Sequence, residues 1–575
     1  MLRLALALTL LSAGQTVAAA TPETPAAAID APGPLLDAPV VDPPAPAPKP
    51  PGGASVDPRA VSFERQELSA PAAESIGVLD IHQGGFAATL WTGTSAPVAR
   101  ALLARLPVDT ESPTLRALAR RLLLTAGPAP KGAQEAPSLA EIRVGRLLAL
   151  GDAEAAAALA DASPASVRGP GMASARVEAL LLAGRTDAAC AALPAIGDLG
   201  RDLSLNEIQV LCQLIAGNSL AANFGLDMLR DRKPADTAFI IAADRAAGQP
   251  LAKGGIHTLK DPTPVQLAAL AAAKLPLPAD AVETARPAAL KAIAASADTA
   301  PEMRLAAAER AESLGLIDTG ALHKVIEAVD FKPEELAVPL GRADLQAGPR
   351  GLALLVRTAE AATAPAQAAE LASKALELAR ARGRYATAAR LLAPLLQHMS
   401  AQPPLVAFAP VVARALLTVG RADAAMVWLD LATHDADAAK AAAALWPLAR
   451  VHNLGDSSPA AAAAWRQAAE PRRAAVAFGL LAGLGQRIPD GELAPLLDLP
   501  AAAGPSAAQA FLLEGLARDK SLGGTVLAAL AAFDHLPLDK ADPVTLSRVV
   551  AALKAVGLED EARRLAVEAM LAAGV

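Results

Sequence analysis

Two cysteines, seven histidines and a few arginine clusters are the residues of this chain whose types and spacing admit specific chemistry. Cys190 and Cys212 lack the Cys-x-x-Cys spacing of a redox pair, so they read as a structural disulfide or as two small buried thiols. The histidines are His82, His257, His323, His398, His434, His452 and His535. Asp80-Ile-His82 and His434-Asp-Ala-Asp437 superficially resemble metal ligands, yet neither has a second histidine at helical spacing or a cysteine partner, as a zinc site usually needs. No phosphate loop, dinucleotide fingerprint or nucleophile elbow occurs, so no cofactor, no metal and no catalytic residue is expected. Arg120-Arg121, Arg380 to Arg384, Arg472-Arg473 and Arg563-Arg564 are basic clusters that suit either an acidic partner or a solvated helix face balanced by nearby acids.

These residues must be positioned by helices. Hydrophobic residues make up 53% of the 575, but much of that share is alanine, and aromatics are only 2%. Alanine is the best helix former and buries little area, so an all-helical fold must gather its stability from many small contacts. The formal net charge of −7, with no basic stripe and few stacking aromatics, argues against a nucleic-acid partner and weakly against anionic membrane surfaces.

The helices carry a repeat. A glycine followed five positions later by alanine recurs as Gly151-Asp-Ala-Glu-Ala-Ala156, Gly184-Arg-Thr-Asp-Ala-Ala189, Gly217-Asn-Ser-Leu-Ala-Ala222, Gly383-Arg-Tyr-Ala-Thr-Ala388, Gly420-Arg-Ala-Asp-Ala-Ala425, Gly455-Asp-Ser-Ser-Pro-Ala460 and Gly557-Leu-Glu-Asp-Glu-Ala562. Gly151, Gly184 and Gly217 stand 33 residues apart, and Gly383, Gly420 and Gly455 stand 37 and 35 apart. A period of this size in helical sequence predicts stacked helical hairpins, about a dozen of them from residue 138 to 575. The glycine ends one helix in the left-handed conformation and a following Asp, Ser or Thr caps the next. Gly248, Gly315 and Gly485 fall near the same register, and the stretch from Gly341 to Gly351 reads as an irregular joint between two subarrays. In this register Cys190 lies early in one helix and Cys212 late in its antiparallel neighbour, where a disulfide can close.

Ahead of the repeats the chain divides into three parts. Residues 1–20 read as a cleavable export signal of bacterial proportions: Arg3, an apolar core from Leu4 to Leu11, and small residues at Val17-Ala-Ala-Ala20. That places the mature protein in the periplasm; the alternative is an uncleaved inner-membrane anchor. No later apolar run is long enough to span a bilayer, so no stable membrane insertion is expected after cleavage. Residues 21–60, with twelve prolines, read as a disordered linker. Residues 61–137 read as a small capping module for the repeats, with helices near 95–106 and 113–127 after a glycine-containing stretch, Ile76 to Phe86.

Gly383-Arg-Tyr-Ala-Thr-Ala388 resembles the inter-helix turn of tetratricopeptide repeats, which favour Gly-x-Tyr-x-x-Ala at that point. The other copies keep the glycine and alanine and lose the tyrosine. The resemblance, over roughly residues 138–575, implies a right-handed α-solenoid whose concave surface binds proteins or peptides. The expected function is a non-enzymatic periplasmic or cell-envelope scaffold with a protein or peptide partner. The alternatives are a peptidoglycan-related enzyme with its site in residues 61–130, around Asp80 and His82, or a regulator of a cell-wall synthase. Glu74-Ser75 and Glu312-Ser313 match the start of a lytic transglycosylase motif but lack its glycine-rich continuation.

Overall fold

The computed structural model describes residues 73–575, apart from 133–134, 201, 233, 251–254, 347, 501–502 and 535. The export signal, the proline-rich linker, the start of the capping module and His535 lie outside the described residues. The described chain is all-α: thirty α-helices and no strand, with two isolated bridges, Leu79 to Thr125 and Ser95 to Lys131. The first eight are α1 (Ala96–Ala104), α2 (Pro113–Leu124), α3 (Leu139–Leu150), α4 (Ala153–Ala162), α5 (Pro170–Leu182), α6 (Thr186–Ala192), α7 (Leu203–Ile215) and α8 (Ser219–Arg230). Many helices carry proline in their first two positions, as α1, α2 and α5 do, where its missing N–H would be unpaired anyway.

At six of the seven repeat turns the chemistry is uniform. Gly151, Gly184, Gly217, Gly383, Gly420 and Gly557 all have positive φ, and two amide bonds reach back into the preceding turn of helix. At Gly151 the amides of Gly151 and Asp152 donate to Leu148 and Leu147, both at 3.0 Å, which satisfies carbonyls the helix leaves open. Gly151 also needs its bareness for packing, since a Cβ there would sit 2.8 Å from the Pro287 Cβ. The alanine five residues on, at 156, 189, 222, 388, 425 and 562, is 0% exposed in every case. The pair is thus one device: glycine reverses the chain, and alanine lets the second helix close onto the first.

The Gly455 copy departs from this. The helix Trp446–Val451 is ended by Asn453 in the left-handed conformation, with Asn453 and Leu454 donating to Arg450 and Ala449. Gly455 has positive φ but lies beyond that cap, and Ala460 is exposed. Asparagine tolerates this conformation through its short polar side chain, so the turn forms two residues early. Lys274 and Lys520 end helices in the same way, while Gly248, Gly315 and Gly485 carry the full turn geometry.

A one-dimensional stack, in which each hairpin touches only its neighbours, does not describe the packing. After α3 to α8 the chain turns back: the helix Pro264–Ala273 packs on α5 and α7, and Pro287–Ala295 packs on α3 and α5. Helices faced with alanine bury little area per contact, so a second layer supplies neighbours that a single row would lack. The stretch from 341 to 351 is not an irregular joint. It is built from the helices Pro339–Leu345 and Pro349–Ala361, and Arg350 bonds Glu335 at 3.1 Å and the Asp330 carbonyl at 2.8 Å. Across it, Glu309 and Glu312 on Pro301–Ser313 form buried ion pairs with Arg382 and with Arg390, the latter at 2.6 Å.

Nor is the segment from 73 to 131 a cap on one end. α1 and α2 pack against the helix Leu522–Ala531, and α2 also touches α3 and the helix Glu559–Ala572. Thr94 and Ser521 share a 2.6 Å hydroxyl bond, and the Gly523 amide donates to the Leu90 carbonyl at 2.9 Å. A Cβ on Gly523 would stand 2.7 Å from that carbonyl oxygen. The described unit therefore closes on itself, early helices against late ones.

Two outcomes test this architecture by urea unfolding. Ala425→Leu should destabilise by ~1–3 kcal/mol through overpacking, whereas Ala460→Leu should stay within ~0.5 kcal/mol. Gly523→Ala should expose residues 73–131 to limited proteolysis before the rest of the unit; equal protection in the variant would contradict the closure contact.

Candidate binding cavity

The sequence-derived candidates resolve into separate local roles. Cys190 in α6 and Cys212 in α7 are joined by a disulfide with their Cα atoms 5.4 Å apart. Closing a 22-residue loop stabilises by roughly 3 kcal/mol on the chain-entropy account. Asp80 caps a turn, its Oδ1 accepting from the amides of His82 at 2.8 Å and Gln83 at 2.9 Å, and His82 is exposed. His434 bonds the Leu431 carbonyl, and Asp435 caps the helix Ala436–Ala443 through the Ala438 amide. His323 pairs with Glu360, His398 bonds the Pro394 carbonyl and His452 bonds Leu417, so these three serve three different places. Among the described residues no cluster of histidine, cysteine and acidic groups is arranged to hold a metal.

Most of the arginine clusters are structural. Arg120 pairs with Asp152, Arg121 with Glu561 at 3.3 Å, Arg382 with Glu309, Arg563 with Glu559 at 2.7 Å, and Arg472 bonds the carbonyls of Asp539 and Ala541. Among the described residues Arg380, Arg384 and Arg473 form no carboxylate pair, and of these Arg380 and Arg473 converge with Arg414 on one cavity of about 890 Å³. Its polar wall comes from Pro365–Ala381 (Ser373, Arg380), Tyr385–His398 (Tyr385), Ala409–Thr418 (Arg414) and Pro471–Gly483 (Arg473). Its apolar wall includes Leu376, Phe408, Val411, Leu445 and Trp465. Trp465 is held by Trp446 and Phe478, with ring centroids 6.0 and 5.8 Å away, in a chain with very few aromatic rings.

The electrostatics of this wall are distinctive. Arg414 lies over the Tyr385 ring, 5.0 Å from its centroid, and donates to the main-chain oxygen of Val575 at 2.6 Å. Burial lowers the Arg414 pKa, and Arg380 and Arg473 lower it further by repulsion. Burial pushes the Tyr385 hydroxyl up to about 12, so it stays a proton donor at any physiological pH. Acids occur only at exposed positions of the lining, where Lys374 engages Asp344 at 3.0 Å and Glu377 at 3.4 Å, leaving Glu370. Such a cavity can orient an acceptor-rich head against an apolar body. Sequence reasoning singled out Arg380 and Arg473 only as members of clusters, and Arg414 not at all. The one usable signal was Tyr385, the only tyrosine in the chain, beside Arg384.

A second surface is apolar and open. In α8, Ala222, Leu226 and Leu229 are buried, and Leu220, Phe224 and Met228 line the opposite face with Phe224 69% exposed. No protein family matches this chain, and no curated protein or solved structure is significantly similar to it.

One buried acid gives a pH test. Glu207 in α7 has its pKa pushed up to about 8 by burial, with Asp236 and Asp202 adding repulsion. Its carboxyl binds a proton more tightly in the folded protein than at its usual 4.5, so this contribution is fully present below about pH 4.5 and is lost as pH rises through about 8. Glu207→Gln should flatten the fall in melting temperature between ~pH 5 and ~pH 9 and leave the variant more stable at the alkaline end. An unchanged profile would contradict the assignment.

Proposed function

We propose that this chain is a non-catalytic scaffold of the bacterial cell envelope, built of tetratricopeptide-like hairpins that close on themselves instead of forming an open α-solenoid, and that it holds a protein or peptide partner on its helical surface. The observation that carries this reading is α8, which is apolar on two opposite faces while only one is covered. A helix that is apolar all round is ordinarily buried, and large exposed side chains in register mark interaction sites. Leu220, Phe224 and Met228 follow i, i+4, i+8 spacing, a row that suits the apolar stripe of a partner helix. The Gly383-Arg-Tyr turn supports the kinship of the hairpins, and the Cys190–Cys212 disulfide supports an oxidising compartment such as the periplasm.

A photo-crosslinking residue at Phe224, introduced in cells, should give a discrete adduct with an envelope protein. The same residue at exposed Lys440 should not, and changing Leu220 and Met228 to Ser should remove the adduct. Equal labelling from positions 224 and 440, or none from either, would sink the proposal.

A further inference from the structure

We infer that the cavity lined by Ser373, Tyr385, Arg380 and Arg473 is a binding site for a small amphiphilic anion, a carboxylate or phosphate head on an apolar body. This site lies on residues other than the α8 face and stands or falls independently of the scaffold reading.

Unsatisfied polar atoms carry the inference. Buried side-chain donors and acceptors in folded proteins nearly always find partners, so a group of them without one calls for an explanation. Ser373 Oγ, Tyr385 Oη, Arg414 Nε and Arg473 Nε are buried and without a hydrogen-bond partner of sound geometry, and all four residues line this one cavity. Each of the four can donate. A wall of converging donors leaves an acceptor as the missing species, and Arg380 and Arg473, which form no carboxylate pair among the described residues, make that acceptor an anion. Arg414 is engaged with the main-chain oxygen of Val575 through another nitrogen, so the head group falls to Arg473 and Arg380 with Tyr385 and Ser373 beside them. The opposite wall of Leu376, Phe408, Val411, Leu445 and Trp465 can hydrogen-bond to little, which selects an apolar body. Phosphate alone would leave that wall wet. A volume near 890 Å³ accommodates a ligand of several hundred daltons.

The test uses the whole protein, with dodecanoate, dodecyl phosphate and uncharged dodecanol as probes below their aggregation limits, read by calorimetry and by melting temperature. One anion or both should bind at one site per chain and raise the melting temperature; the tighter of the two identifies the head group. Dodecanol should bind ~10- to 100-fold more weakly, the loss expected for hydrogen bonds to a charged group. Tyr385→Phe keeps the ring and removes only the hydroxyl. It should leave the unliganded melting temperature unchanged or higher and weaken anion binding about tenfold. Arg473→Gln should weaken it at least as much. Stoichiometry of one together with sensitivity to Tyr385→Phe separates the cavity from adsorption on α8. Equal affinity for dodecanol, unaltered affinity in both variants, or failure of both anions to bind would overturn the inference.

Discussion

Helix α2 is held at both ends by hydrogen bonds to side chains of other helices. At its N-terminus the Glu568 carboxylate accepts from the Ser112 hydroxyl and from the Thr114 hydroxyl, at 2.6 Å, and amide. At its C-terminus Arg143 of α3 donates to the Leu123 and Thr125 carbonyls at 2.7 and 3.0 Å, and also to Ile76. Arg116 of α2 returns the favour, donating to Leu150 at the end of α3. Burial pushes the Glu568 carboxyl up, against the bonds from Ser112 and Thr114 that pull it down, while the cations at the helix ends complement the macrodipole. Burial pushes both Arg116 and Arg143 down to about 10, so they remain charged at neutral pH. Glu568 comes from the last helix and Arg143 from the first hairpin of the repeat region. The same short helix thus joins the two ends of the described unit.

That closure answers a need set by composition. Alanine interfaces pack tightly but contribute little apolar area each, so a free-ended row of hairpins would leave its terminal helices poorly covered. Folding Pro264–Ala273 and Pro287–Ala295 back onto α3, α5 and α7 gives those helices second neighbours. Buried ion pairs, Glu309 with Arg382 and Glu312 with Arg390, tie the middle of the unit across what the sequence marks as a break.

Against this background two regions bring large side chains together in a chain rich in alanine. Large apolar side chains face water on α8, and aromatic rings gather around the arginine cavity. A fold stabilised by many small contacts can leave such groups uncommitted without collapsing, which is the physical opening for recognition in a protein whose core is mostly alanine and leucine.

The turn register was legible in the sequence because glycine is the residue that adopts positive φ without strain and alanine the one that lets two helices close; six copies obey both conditions. It misled at Gly455, where Asn453 turns first, and it passed over Lys274 and Lys520, since nothing in a lysine announces left-handed backbone. The facing positions of Cys190 and Cys212 followed from the same local register. Closure and cavity did not. Thr94 meets Ser521 across 427 residues, and Arg380, Arg414 and Arg473 come from three separate helices in a chain with surface arginines throughout. What the sequence by itself determined is local: helix, turn and the close contact of adjacent helices, all set by backbone preference and side-chain size over a few tens of residues. What only the tertiary structure decided is which distant faces meet, because alanine-faced helices are nearly interchangeable, and buried polar pairs such as Ser112 with Glu568 select one arrangement among them.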